Sequence, residues 1–205
     1  MAEEKKSSAA QQKIIANYEK QRDEFKAQGY TEKSEVVSVV KANIMVFVTS
    51  FPIMILAVVL WILADRGTMM LDIKSWCLML AVFFVTVFIH EILHGAGWCL
   101  GSKYGWKSIH IGMMWESLTP YCHCKEPLSP GKYLLGCLIP GLILGVGVYV
   151  TAFITGSAFL LWISLLNIIS AGGDLLIAWY GRKYKTGYML DHPTECGFII
   201  FENKK

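Results

Sequence analysis

Between Asn43 and Ala64 the chain runs for 22 residues without a charged side chain. About 20 predominantly apolar residues are needed for a helix to cross the hydrocarbon core of a bilayer. Three further segments are comparable: Trp76 to Leu100, Lys132 to Thr155 and Ser157 to Tyr180. The composition agrees, because only 17% of residues are charged while 54% are hydrophobic, and soluble domains carry about 25% charged residues. The expected fold is an all-α integral membrane protein, a bundle of four transmembrane helices with a cytosolic hairpin inserted between helices 2 and 3.

On this reading the spans at about 43–64, 76–100, 132–155 and 157–180 form a membrane domain over 42–180. A polar N-terminal segment, 1–41, precedes it and a tail, 181–205, follows. Lys and Arg concentrate in cytoplasmic loops. Eight lie in the N-terminal segment, four in 101–132 and five in the tail, while the two other loops hold only Arg66 and Lys74. Both termini and the long polar loop are therefore expected in the cytosol. Ile14, Tyr18 and Phe25 form a weak helical stripe that Gly29 ends; a helix packed on the domain or bilayer and a partly disordered charged tail are both open readings. A net charge of +3, without a basic patch interleaved with aromatics, gives no reason to expect nucleic acid. The six cysteines lie in apolar segments or on the cytosolic side, where reduced thiols are the default.

The second segment holds His90-Glu91-Ile92-Leu93-His94. Residues four apart on a helix lie one turn apart on one face, as two ligands of one metal must. Glu91 is rotated about 100° from His90, within reach of a metal-bound water, whose pKa zinc lowers to about 7. With only 5 His in 205 residues, H-E-x-x-H arises by chance in roughly 0.6% of shuffled chains. Two hydrogen-bonded helix histidines are the rival reading. That reading leaves three ionisable groups in a membrane-length segment, each costing a few kcal/mol, so the metal reading is preferred.

A catalytic zinc takes three protein ligands and keeps one open position. Leu100 stands where the metzincin pattern needs a third histidine, which excludes that branch. Glu116, Asp174, Asp191 and His192 remain. Asp174 is the single charged residue in the fourth segment and follows Gly172-Gly173. His94 is 18 residues past Trp76 and Asp174 is 17 past Ser157, so at about 1.5 Å per residue the two reach the same depth. Asn167, Ser170, Ala171 and Asp174 also share a small, polar helix face. The rival role for Asp174 is a structural hydrogen bond between helices.

In the polar loop, Ile109, Ile111, Met113 and Trp115 alternate with His110, Gly112, Met114 and Glu116, a strand pattern. Thr119-Pro120 is expected to turn it toward a second short strand at Tyr121 to Lys125. Such a hairpin either offers an edge to an extended peptide or only covers the helices. Cys122-His123-Cys124 lacks a fourth ligand at suitable spacing, so reduced surface cysteines are expected. Asp191-His192-Pro193-Thr194 reads as a turn or helix start.

His90-Glu91-Ile92-Leu93-His94-Gly95 in one span, Pro140-Gly141 in the next and Gly173-Asp174 in the last resemble the site-2 protease class of intramembrane metalloproteases. The chain is more similar still, over roughly residues 76 to 198, to a small bacterial membrane family described as zincin peptidases. The resemblance implies His90 and His94 as ligands of Zn2+, Glu91 as general base, Asp174 as third ligand and a bacterial cell membrane as location. Two departures from site-2 proteases stand out: Leu175 follows Asp174 where those enzymes carry a longer Asp-Gly signature, and there is no PDZ-like module. The expected function is a membrane-embedded zinc metalloprotease that hydrolyses peptide bonds of a peptide or membrane-protein substrate near the cytosolic face. The alternative is a non-catalytic metal-binding membrane protein with a structural or regulatory role. A metal transporter is disfavoured by the lack of an internal repeat.

Overall fold

The structure, a computed structural model, describes residues 9–203 apart from 116–118. The chain is mostly helical. It opens with helix α1 (Ala9–Ala27) and strand β1 (Tyr30–Val36), then two long helices, α2 (Val39–Leu63) and α3 (Ile73–Gly101). A short 3-10 turn leads into the antiparallel hairpin β2 (Ile109–Met114) and β3 (Thr119–Cys124). Helix α4 (Pro130–Pro140) continues through a π-helical stretch, Gly141–Gly147, into α5 (Val148–Thr155). Helices α6 (Ala158–Ser170) and α7 (Gly172–Gly181) follow, and strands β4 (Tyr188–Asp191) and β5 (Gly197–Asn203) end the chain.

Three helical runs are long and apolar enough to cross a membrane: Asn43–Leu63, Ile73–Gly101 and Pro130–Thr155. The α6–α7 pair makes a fourth if counted as one span, but it is bent by 44°. Their outward faces carry unpartnered apolar side chains, among them Phe47, Phe51, Leu56, Ile62, Phe84 and Ile154. A contiguous band of this kind suits lipid rather than water. Where the helices meet, side chains close up: Trp61, Ala152, Leu161 and Leu165 are buried between α2, α5 and α6.

The all-α expectation is corrected by a three-stranded antiparallel sheet in the order β1-β5-β4. It pairs the N-terminal segment with the tail, from Tyr30 opposite Asn203 to Val36 opposite Gly197. β1 reads Tyr-Thr-Glu-Lys-Ser-Glu-Val, whose charges hide it from any apolar pattern. β5 owes its place to Phe198, Ile199, Ile200 and Phe201, all fully buried. One face of β5 packs with Trp98, Tyr133 and Met189 against α3 and α4. The other packs under α1, where Tyr18, Phe25 and Tyr30 cover Leu190, Ile199 and Phe201. Of the two readings of the N-terminal segment, the helix packed on the domain is the one found for residues 9–27.

The hairpin is present, with one correction. Thr119 and Pro120 belong to β3, opposite Met114 and Met113, and do not turn the chain. A proline fits there because a two-stranded ribbon leaves alternate N–H groups without a ladder partner to lose. Both strands pack on α3.

Candidate metal centre

Asp72 caps α3, its side chain accepting from the Ser75 N–H at 2.8 Å. From there the helix runs 29 residues without a break, so its period carries His90 and His94 to one buried face. Glycines at the C-terminal end of α3 admit its neighbours. A Cβ on Gly97 would sit 2.7 Å from the Gly136 Cα of α4, and one on Gly95 would sit 2.8 Å from the Trp106 ring. This is the close approach that small residues allow between apolar helices. It brings the Gly136 carbonyl to the imidazole of His94, whose Nδ1–H donates to it at 3.0 Å. The His94 ring also stacks on Trp98, centroids 5.2 Å apart, and the Trp98 indole N–H donates to the Tyr133 carbonyl at 2.9 Å.

Asp174 arrives from the opposite side. The 44° bend falls at Ala171, between α6 and α7, with hydroxyls of α2 beside backbone carbonyls on either side of it. The Ser50 hydroxyl donates to the Ile168 carbonyl at 3.1 Å, and the Thr49 hydroxyl lies 3.1 Å from the Gly172 carbonyl. Gly172 has no Cβ where Val46 and Ser50 press against it. Past the bend, Asp174 occupies the first turn of α7, a position where the helix dipole favours a negative charge.

The three side chains converge. His90 Nε2 is 3.0 Å from Asp174 Oδ2, His94 Nε2 is 3.2 Å from Asp174 Oδ1, and the two Nε2 atoms are 3.1 Å apart. Among the described residues this is the one group of His, Cys, Asp and Glu whose atoms could hold a metal ion. Zinc bonds of about 2.0–2.1 Å at tetrahedral angles place ligand atoms about 3.3–3.4 Å apart. The triangle has only to open by a few tenths of an ångström.

A neutral His94 meets a conflict here. The Gly136 carbonyl only accepts, so His94 carries its proton on Nδ1, and the neutral ring then points an Nε2 lone pair at a carboxylate oxygen and at His90. Either a second proton on the ring or a metal cation between the three atoms removes the conflict. The donor set, two imidazoles and one carboxylate, is one that zinc accepts.

Glu91, half-buried one residue along, lies within Coulombic range of both histidines and Asp174, with its carboxylate facing the Cys122 backbone N–H of β3. Sequence reasoning thus anticipated four residues that the fold brings together. The other candidates stand apart. Glu116 lies outside the described residues. His192 forms a turn, its Nδ1 accepting from the Thr194 and Glu195 N–H groups at 3.3 and 3.0 Å. Asp191 is buried and occupied: Cys124 N–H donates to Oδ2 at 2.7 Å and the Tyr133 hydroxyl donates to Oδ1.

Cys122-His123-Cys124 needs correction too. Cys124 is fully buried and His123 nearly so, because β3 packs inward on α3 rather than facing solvent. Gly136, Ser50 and Thr49 went unnoticed in the sequence, and a contribution made by a backbone carbonyl leaves no residue signature to find.

A family model matches residues 83–189, which is 107 of the 205 residues and includes His90, Glu91, His94 and Asp174. Comparisons with curated proteins and with solved structures give no match. By the match over just more than half its length, the chain belongs to the family described as putative zincin peptidase.

Proposed function

We propose that the protein is a membrane-embedded zinc metalloprotease of the site-2 protease type, with His90, His94 and Asp174 as metal ligands and Glu91 as general base. The observation that carries the reading is the 3.0–3.2 Å triangle of ligand atoms on an H-E-x-x-H helix, with the Glu91 carboxylate beside it. The family's zincin description supports zinc as the metal and peptide hydrolysis as the reaction class. When bound, zinc supplies Lewis acidity and lowers the pKa of a coordinated water.

The chain's own residues do the rest. Asp174 and the Gly136 carbonyl hold the rings so that both Nε2 atoms face inward. Glu91 accepts the proton of the attacking water and returns it to the leaving amine, a role worth about 10²–10⁴-fold in rate. An apolar cavity of about 70 Å³, lined by Ile53, Leu138, Leu142, Val146 and Leu175, has Asp174 in its wall. That supports entry of an apolar segment of a membrane-protein substrate. The Lys/Arg distribution supports both termini and the hairpin lying in the cytosol of a cell with this protein in its plasma membrane, and the reaction taking place near that face.

The test is cleavage by purified protein loaded with zinc, with Glu91→Gln alongside wild type. The variant is expected to keep its metal and lose at least about 100-fold in rate; undiminished cleavage would end the mechanism. A non-catalytic metal brace is the second reading. It is favoured by the hydrogen bond from His94 to the Gly136 carbonyl, which ties α3 to α4. It requires that Glu91→Gln match wild type in every assay while His90→Ala unfolds the protein.

A further inference from the structure

Three buried side-chain atoms among the described residues have no hydrogen-bond partner: Gln21 Oε1, His90 Nδ1 and Asn167 Oδ1. The first lies on α1. The other two lie on the same helix contact, between α3 and α6, and are complementary in kind. His90 presents Nε2 to Asp174 and His94, so a neutral ligating ring carries its proton on Nδ1, a donor without an acceptor. Asn167 supplies an acceptor without a donor.

The orientation of the Asn167 amide follows from its neighbours. Its NH2 donates to the Ile163 carbonyl at 2.9 Å and to the Thr86 hydroxyl oxygen at 3.1 Å. The carbonyl can only accept, and the Thr86 hydroxyl spends its proton on the Phe83 carbonyl at 2.7 Å. Both contacts therefore demand the NH2 group, and Oδ1 must face the other way. Thr86 precedes His90 by one helical turn, which puts their side chains about 5–6 Å apart on one face. The Asn167 amide is held at Thr86, so it sits one turn N-terminal to His90 on the same side of α3. Both residues are almost wholly buried, at 5% and 1% exposure, and no bulk solvent is at hand to satisfy either atom.

We infer that Asn167 is a positioning residue for the metal centre: its amide oxygen receives the Nδ1–H of His90, directly after a small side-chain adjustment or across one buried water. This gives His90 what the Gly136 carbonyl gives His94. Metal-ligating histidines almost always donate their second ring N–H to such a partner, which sets the tautomer and raises ligand basicity. The inference rests on the metal-site reading above and deepens it, adding a residue that touches neither metal nor substrate.

The experiment is zinc affinity measured by chelator competition on the full chain, for wild type, Asn167→Leu and Asn167→Asp. Removing the acceptor while keeping the branched shape in Asn167→Leu is expected to weaken zinc by about 10- to 100-fold. Asn167→Asp keeps an oxygen there and should stay closer to wild type than Asn167→Leu. Equal affinity in wild type and Asn167→Leu would overturn the assignment while leaving the metal site intact; failure of wild type to bind zinc would overturn the metal reading and this inference together. A second measurement needs no variant. In the zinc-loaded wild type, ring-nitrogen NMR is expected to show His90 bound through Nε2 with a slowly exchanging, hydrogen-bonded Nδ1–H. Coordination through Nδ1, or an Nδ1–H exchanging as freely as an exposed one, would refute the role.

Discussion

Two buried clusters in this molecule are built from the same side chains and do different things. In one, His90, His94 and Asp174 meet between α3 and α7. In the other, His123 and Asp191 meet between β3 and β4, His123 Nδ1 lying 3.8 Å from Asp191 Oδ2. The difference lies in who serves the carboxylate. Both Asp191 oxygens already have protein donors, the Cys124 N–H and the Tyr133 hydroxyl. That carboxylate holds the hairpin to the tail and to α4, and His123 is left aside. Among the described residues the Asp174 oxygens face two imidazoles and no backbone or hydroxyl donor. A buried His-Asp cluster can hold a metal when its ligand atoms crowd together and imidazoles alone serve the carboxylate, and is structural when backbone and hydroxyl donors already serve each acceptor.

That contrast can be broken most directly by exchanging one atom in each cluster. Asp174→Asn is expected to lower zinc affinity by more than the about 10- to 100-fold typical of outer-shell changes, whereas Asp191→Asn should bind zinc like wild type. Metal content after dialysis against a weak chelator reads both, and equal losses in the two variants would erase the distinction.

The next effect is in stability. Asp191→Ala leaves a buried tyrosine hydroxyl and a buried N–H without an acceptor, at a cost of about 3 kcal/mol. Thermal unfolding in detergent should show the drop with zinc binding preserved. A midpoint within a degree of wild type would mean the cluster holds nothing together.

The smallest effect is a pH slope. Burial, with the Asp191 charge adding to it, pushes the Cys124 thiol up from 9.0 to about 12. A group with a raised folded pKa contributes its full stability below the unfolded value and loses it as pH rises toward the folded one. The unfolding midpoint of wild type should therefore fall between about pH 9 and 12 more steeply than that of Cys124→Ala. Parallel slopes would show that Cys124 ionises as readily folded as unfolded.

Much of the site was legible in the chain, and for identifiable reasons. The His90–His94 pair follows from the helical period, which is local. Asp174 follows from counting residues into two apolar segments of similar, membrane-crossing length. The sheet was not legible. β1 and β5 pair residues more than 160 positions apart, such as Tyr30 with Asn203, and a charged edge strand has no apolar alternation to announce it. Nor did Cys122-His123-Cys124 disclose which way it faces, since β3 is turned inward by packing on α3 and by the hold of Asp191 on the Cys124 N–H.

The sequence alone determined that long apolar helices dominate, that a two-histidine motif lies on one of them, and that a lone aspartate waits at matching depth on another. These are properties of single segments, governed by backbone period and hydropathy. The tertiary structure decided the convergence itself. The 44° bend that swings Asp174 toward the histidines is held by hydroxyls from α2, the tautomer of His94 is set by a carbonyl from α4, and the Thr86–Asn167 contact spans α3 and α6. Each is an interaction between helices, and no stretch of sequence contains both of its partners.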